Sequence, residues 1–287
     1  MEYFISLDVG GTGIKTCSVS ARGERISEIT KHPANANASK DEIIKNLADI
    51  IMGKAKKTDN LAGIAIAFPG PFDYDRGISK IKGIGKYDAI FGVNIKEEIA
   101  MATRLSCPIK FINDADMFAL SAYRRLGLEP FNRVMAVCIG TGLGSAFIES
   151  GACVKDRSDV PKNGWVFDTP FKDGILDAYI SATGLRRMIK EYKAAADDVK
   201  DLDALALAGD EKALKIYNEF ADMLCDALLP FVLTFKAQCL VVGGQVAKGF
   251  ELFGDKLKEA LHEKNIPLVV TEISDELTLL GAPYLFM

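Results

Sequence analysis

The sequence predicts an α/β protein built from two halves of similar design. Three observations carry this expectation. Short apolar, β-branched runs alternate with stretches of helical spacing, the pattern of sheets covered by helices. A strand, glycine turn, strand pattern at 3–19 returns at 134–148, about 130 residues downstream. The 287 residues suit two domains or one large one.

The elements follow in order. Residues 3–9 are apolar and end in Gly10-Gly11, and a second run covers 14–19. Two strands joined by Gly10-Gly11-Thr12-Gly13 read as a hairpin. A third strand is expected at 26–29. Residues 40–55 place Ile43, Leu47, Ile50 and Ile51 on one helical face, with Ser39 as N-cap. The apolar run 61–68 reads as a buried strand, stopped by Pro69, Gly70 and Pro71. Glycine-rich 77–93 reads as a loop and 95–105 as a helix. Residues 109–112 form another buried strand, with a helix at 117–126. The second half repeats the opening: strand 134–139, turn Gly140-Thr141-Gly142-Leu143-Gly144, strand 145–148. A mostly helical stretch, 175–229, leads to strand 239–242, which ends in Gly243-Gly244. Strand 268–271 and a helix at 277–286 close the chain.

Composition narrows the function classes. Hydrophobic residues make up 49% and charged residues 26%, ordinary for a globular chain long enough to bury a sizeable core. The net charge of -4 gives no basic footprint for nucleic acid. The block Lys54, Lys56, Lys57 is balanced by nearby acids and reads as solvated surface. No apolar run approaches the ~20 residues of a membrane helix, and no signal peptide is visible. The six cysteines are scattered without a CxxC pair, which suggests reduced thiols and a cytoplasmic protein. His32 and His262 lack neighbours at metal-ligand spacing, so no zinc site is expected.

Four motifs carry chemistry. In Asp8-Val9-Gly10-Gly11-Thr12-Gly13-Ile14-Lys15, glycines let the backbone approach an anion, Thr12 adds a hydroxyl, and Lys15 adds charge. Asp8, at a strand end, can hold Mg²⁺ through water. The bland alternative is a hairpin turn with a surface acid and base. Gly140-Thr141-Gly142-Leu143-Gly144 has the same design, and its recurrence favours two grips on a nucleotide triphosphate. Asn113-Asp114-Ala115-Asp116 stands where a strand becomes a helix. It is either an N-cap or a carboxylate placed to accept a hydroxyl proton during attack on a γ-phosphate. Leu240-Val241-Val242-Gly243-Gly244-Gln245 can lay backbone against adenine and ribose, although such turns are common.

Taken together, DVGGTGIK, FPGPFD, NDAD, IGTGLGSAF, DAYISATGL and VVGGQV resemble, in type and order, the ROK-family sugar kinases of the actin-like ATPase superfamily. The resemblance runs from Asp8 to the terminal LLGAPYLF. It implies two actin-like, ribonuclease H-like domains around a nucleotide-binding cleft, 1–113 (joined by the helix 276–287) and 114–275. It implies ATP and Mg²⁺, with Asp8, Gly10, Gly11, Thr12 and Lys15 at the phosphates. Gly140, Thr141, Gly142 and Gly144 would form the second phosphate loop, and Gly243 and Gly244 the adenosine contact. Asn113 and Asp114 would bind the sugar, with Asp114 as base, and Pro69-Gly70 would line its pocket. Dimers are common in the group, so a homodimer is an expectation.

The sequence departs from the family at its sugar-recognition motifs. Lys162-Asn163-Gly164-Trp165 stands where the family carries ExGH, and the stretch from there to Asp177, where the family's zinc motif belongs, holds no cysteine. The family's Cys-Leu-Glu becomes Ile175-Leu176-Asp177, so Asp177 replaces a sugar-contacting Glu. Trp165, the single tryptophan, either stacks on the substrate or fills the volume of the missing zinc loop. The expected function is an ATP-dependent kinase acting on a hydroxyl of a sugar or sugar-like metabolite. The alternative is a non-catalytic ATP- or sugar-binding sensor. A repressor of the same family needs an N-terminal helix-turn-helix for which the early first strand leaves no room. An iron–sulfur activator ATPase needs clustered cysteines.

Overall fold

The structure is a computed structural model that describes residues 2–55, 60–272 and 274–287, so Lys56 and Lys57 of the basic block lie outside the described residues. The chain folds as two compact units, Met1–Ser121 with Glu276–Met287, and Ala122–Asp275.

Unit 1 contains β1 (Glu2–Val9), β2 (Gly13–Ser20), β3 (Thr30–Pro33), α1 (Lys40–Lys54), β4 (Asn60–Ala67), the short pair β5 (Phe72–Asp73) and β6 (Ile78–Ser79), α2 (Ile95–Thr103), β7 (Ile109–Ile112) and the first part of α3 (Asp114–Arg125). Its sheet has the order β3-β2-β1-β4-β7. The first three strands form an antiparallel meander, and β1, β4 and β7 are parallel. Both faces of β1 are covered, so Tyr3, Phe4 and Ile5 are apolar in succession rather than alternating with polar residues. Ile5, Leu7 and Val9 pack with Ile43, Leu47 and Ile51 of α1 and Ile99 of α2. Phe4 packs on the other face with Ala65, Met117 and Ala282. The α1 start is a capping box: Ser39 N–H donates to the Glu42 carboxylate at 3.0 Å, and Glu42 N–H donates to Ser39 Oγ at 3.4 Å.

Unit 2 contains β8 (Arg133–Ile139), β9 (Leu143–Glu149), β10 (Ala152–Cys153), the short pair β11 (Pro170–Phe171) and β12 (Gly174–Ile175), α4 (Ala182–Tyr192), α5 (Val199–Leu207), α6 (Glu211–Thr234), β13 (Cys239–Gly243), α7 (Asp255–His262) and β14 (Leu268–Val270). The sheet order is β10-β9-β8-β13-β14, again a meander followed by two parallel strands. The repeated hairpin of the sequence is therefore the visible part of a repeated five-strand sheet. Met135, Val137 and Ile139 of β8 bury against Leu185 and Met188 of α4 and Phe220, Leu224 and Leu228 of α6. Arg133 and Arg157 both pair with Glu149 and Asp159, at 2.5–3.1 Å, which ties residues 157–159 to β8 and β9.

Two expectations move. The strand expected at 26–29 forms at Thr30–Pro33. Ile26 N–H reaches Ser18 O at 2.9 Å and Ser27 Oγ takes the Ser18 N–H, but a side-chain acceptor interrupts the ladder there. Pairing resumes where Thr30–Pro33 meets Gly13–Thr16. The helix expected at 277–286 is shorter: α8 (Ser274–Leu280) ends before Gly281, and Pro283 opens a tighter turn over Ala282–Phe286. A Cβ on Gly281 would lie 2.7 Å from Met117 Sδ. Among the described residues no helix is long and apolar enough to cross a membrane. All six cysteines are free, and burial pushes the Cys17 and Cys239 thiols up to about 11.

Candidate active site

In unit 1 the predicted residues collect along one edge of the sheet. Register aligns Asp8 of β1 with Ala67 of β4, and Ala67 with Ile112 of β7. The carboxyl ends of these parallel strands thus present Asp8 and Gly10, then Pro69 and Gly70, then Asn113 and Asp114. Two interstrand spacings separate the outer pair, about 10 Å. The carboxyl edge of a parallel sheet is where α/β proteins bind ligands, because strands end there and loops diverge. Phe68 N–H donates to Ile112 O at 2.9 Å and holds the middle loop to the last strand.

The first hairpin is closed by Gly10 N–H donating to Gly13 O at 2.9 Å. Lys15 stands directly opposite Asp8 in the ladder, and their charged groups are 3.8 Å apart. The positive charge expected to serve the phosphates therefore faces a carboxylate. The same carboxylate fits a hydrated Mg²⁺. Magnesium keeps most of its waters and takes one or two carboxylates plus phosphate oxygens, so it needs no protein cage. Among the described residues there is no cluster of three or more metal-ligating side chains.

Both readings of Asn113-Asp114 have a place. Asn113 is buried and caps α3: its Oδ1 accepts from Ala115 N–H at 3.0 Å and from Asp116 N–H at 3.4 Å. Its Nδ2 donates to Tyr74 Oη at 3.3 Å, and Tyr74 Oη donates to Phe68 O at 3.1 Å. Tyr74 thus links the two loops. Asp114 Oδ1 accepts from Ala115 N–H at 2.9 Å. The residue is exposed, yet protein atoms gathered around the carboxylate desolvate it and raise its pKa above the usual range, against the lowering effect of these hydrogen bonds. A water-reachable carboxylate with a raised pKa has the properties of a general base.

In unit 2 the second hairpin is held from several directions. Gly140 N–H donates to Gly142 O at 2.9 Å, and Ala182 N–H donates to Gly140 O at 2.9 Å. Thr183 Oγ1 donates to Thr141 O at 2.8 Å. Asp177 Oδ1 accepts from Leu143 N–H at 2.7 Å, and a Cβ on Gly142 would lie 2.6 Å from that oxygen. Asp177, expected at the sugar, is thus engaged with the second glycine hairpin. Gly244 sits against the end of β8 with φ +99°, and a Cβ there would lie 2.3 Å from Ile139 O. Gly243 pairs with Cys138, and so does Gly144, which brings the 140–144 and 243–244 glycine segments together at the end of β8. Trp165 packs on Phe167 with ring centroids 5.7 Å apart. Ser145 Oγ donates to Gly164 O at 2.7 Å and accepts from Val166 N–H at 3.0 Å, which fixes the backbone on both sides of Trp165.

Sequence reasoning missed Tyr74, Thr183, Lys86 and Tyr87. Tyr87 Oη donates to Gly10 O at 2.9 Å, and the Lys86 side chain lies on Gly11. Their loop, 83–88, is legible only as glycine-rich sequence.

Two repeated sheets of this order, with glycine hairpins between their first strands, define an actin-like two-domain α/β protein. The ROK family model matches residues 4–287, and the chain belongs to that family. It is similar to the glucokinase of Thermotoga maritima, 24% identical over 308 residues, which span 97% of this chain and 95% of that protein. It is also similar to the N-acetyl-D-glucosamine kinase of Haemophilus influenzae, 21% identical over 278 residues, or 90% and 88% of the two chains. Among solved structures, the ROK family glucokinase from Streptomyces griseus in complex with glucose and AMPPNP superposes with a TM-score of 0.76. That pair is 20% identical, and the match covers 99% of this chain and 98% of the other.

Proposed function

We propose that the chain is an ATP-dependent kinase that phosphorylates a hydroxyl of a sugar or sugar-like metabolite. The observation that carries this reading is the row of Asp8, the glycine hairpin and Asp114 on the carboxyl edge of one sheet. The relatives named as glucokinase and N-acetyl-D-glucosamine kinase support the choice of acceptor.

In this reading Asp114 orients the acceptor hydroxyl and takes its proton as the oxygen attacks the γ-phosphorus. Asn113, with its amide oriented by Tyr74 and by the helix cap, hydrogen-bonds the sugar, and Pro69-Gly70 lines its pocket. The glycine hairpins offer backbone N–H groups to phosphate oxygens, and Gly243-Gly244 offers backbone to adenosine. Asp8 would hold Mg²⁺ through water ligands, and the ion would supply positive charge to the phosphates. Asp177 positions the second hairpin through Leu143 N–H. Trp165 packs on Phe167 in the segment that lacks the family's ExGH grip.

The test is ADP release from ATP over a panel of hexoses, N-acetylhexosamines and polyols, with AMPPNP binding measured in parallel. Acceptor-dependent ADP release is expected with at least one sugar. AMPPNP binding without turnover on any acceptor would replace the kinase reading by a nucleotide sensor.

A further inference from the structure

We infer that Lys86 is a ligand for the terminal phosphate of the phosphoryl donor, a role that rests on the kinase reading of the first hairpin. A Cβ built on Gly11 would lie 2.7 Å from Lys86 Cδ and 2.8 Å from Nζ. The ammonium therefore rests on the central glycine of the loop whose backbone is to receive the phosphates. A side chain at Gly11 would displace the lysine stem from this position.

The placement is set by backbone rather than by a chance rotamer. Tyr87 is buried, adopts φ +60°, donates its N–H to Ala36 O at 2.6 Å and its hydroxyl to Gly10 O at 2.9 Å. Its ring lies tilted against Phe68, with centroids 5.1 Å apart. On either side, the Asp88 carboxylate accepts from Gly83 N–H at 2.5 Å and Gly85 N–H at 3.0 Å, which closes the loop on itself. Gly83 and Gly85 have φ near +75°, so the tight path depends on glycine. These contacts clip the loop to the hairpin and leave one long cationic side chain, Lys86, lying across it.

The chemistry selects a phosphate. An ammonium carries three donors and a full charge, and a terminal phosphate carries the most charge of any donor group. Lys15, the cation nearest in sequence, faces Asp8 at 3.8 Å, so its charge is partly matched within the ladder. Lys86 is exposed and its stem is flexible, so the ammonium can lift from Gly11 to meet an arriving oxygen.

The experiment compares wild type with Lys86→Met and Lys86→Arg in the full chain. Affinities for AMPPNP, ADP and AMP are measured by calorimetry, and melting temperatures are taken without nucleotide. Loss of one charge-assisted contact corresponds to about 10- to 100-fold in affinity. Lys86→Met should weaken AMPPNP by that factor, change AMP little and leave the melting temperature unchanged. Lys86→Arg should recover most of the AMPPNP affinity. Unchanged AMPPNP affinity in Lys86→Met would overturn the inference, and so would an equal loss for all three nucleotides. These are binding measurements, so they stand apart from the acceptor panel: failure of turnover on every sugar removes the kinase reading and leaves the Lys86 comparison intact.

Discussion

Replacing Asp114 by Asn separates the catalytic role proposed for this residue from its structural one. The substitution keeps an oxygen that can accept from Ala115 N–H, so the start of α3 retains that bond. Asn113 still supplies its own cap bonds to Ala115 and Asp116. What disappears is the ability to take a proton. A positioned general base contributes about 10²- to 10⁴-fold, so kcat should fall by that factor, with AMPPNP affinity unchanged. The stability effect has the opposite direction. Desolvation by the protein atoms around its carboxylate raises the folded-state pKa of Asp114, so between the unfolded value, about 3.9, and the higher folded value the native state binds more protons. Stability therefore falls as pH rises through that window, and the full penalty is present above it. The Asn variant lacks the charge, so at pH 7.5 (roughly neutral conditions) its melting temperature should match or exceed that of wild type. In the wild type, kcat/KM should fall on its acid side at a pH above the ordinary carboxylate range. The assays are steady-state ADP release across pH and thermal melts of both proteins. A variant retaining kcat within about threefold of wild type would refute the base assignment.

Further outcomes follow from the second hairpin. Gly244→Ala places a methyl 2.3 Å from Ile139 O at φ +99°. Left-handed strain of about 1–2 kcal/mol plus overpacking of about 1–3 kcal/mol predicts a loss of about 2–5 kcal/mol, read as a fall of roughly 4–20 °C in melting temperature. A melt within 1 °C (roughly, on the same scale) would show that the backbone yields freely. Asp177→Ala removes the acceptor of Leu143 N–H and should raise KM for ATP about tenfold, with Asp177→Asn recovering most of it. An increase confined to KM for the sugar would instead return Asp177 to the substrate.

The recurrence of a glycine-threonine hairpin pointed to a repeated architecture, and the strand 239–242 was legible because buried parallel strands are continuous apolar runs. The third strand was displaced because pairing, not local alternation, decides where an edge strand forms. Asn113 shows the ambiguity of short polar motifs: the same residue caps a helix and turns its amide to Tyr74.

Local order along the chain was sufficient for Asp8, Asp114 and the glycine turns, because strand ends and tight turns are specified by neighbours in sequence. Tyr74, Lys86, Asp177 and Gly244 acquire their partners from segments far along the chain. Gly244 looks like any glycine after a strand until β8 lies 2.3 Å from its missing Cβ. Lys86 looks like any loop lysine until Tyr87 ties its loop to Gly10. A carboxylate or an ammonium has the same chemistry wherever it stands, but packing sets which group it faces and how much water remains around it. That is why motifs suggest a class of chemistry, whereas the partners of each group depend on the folded sheet.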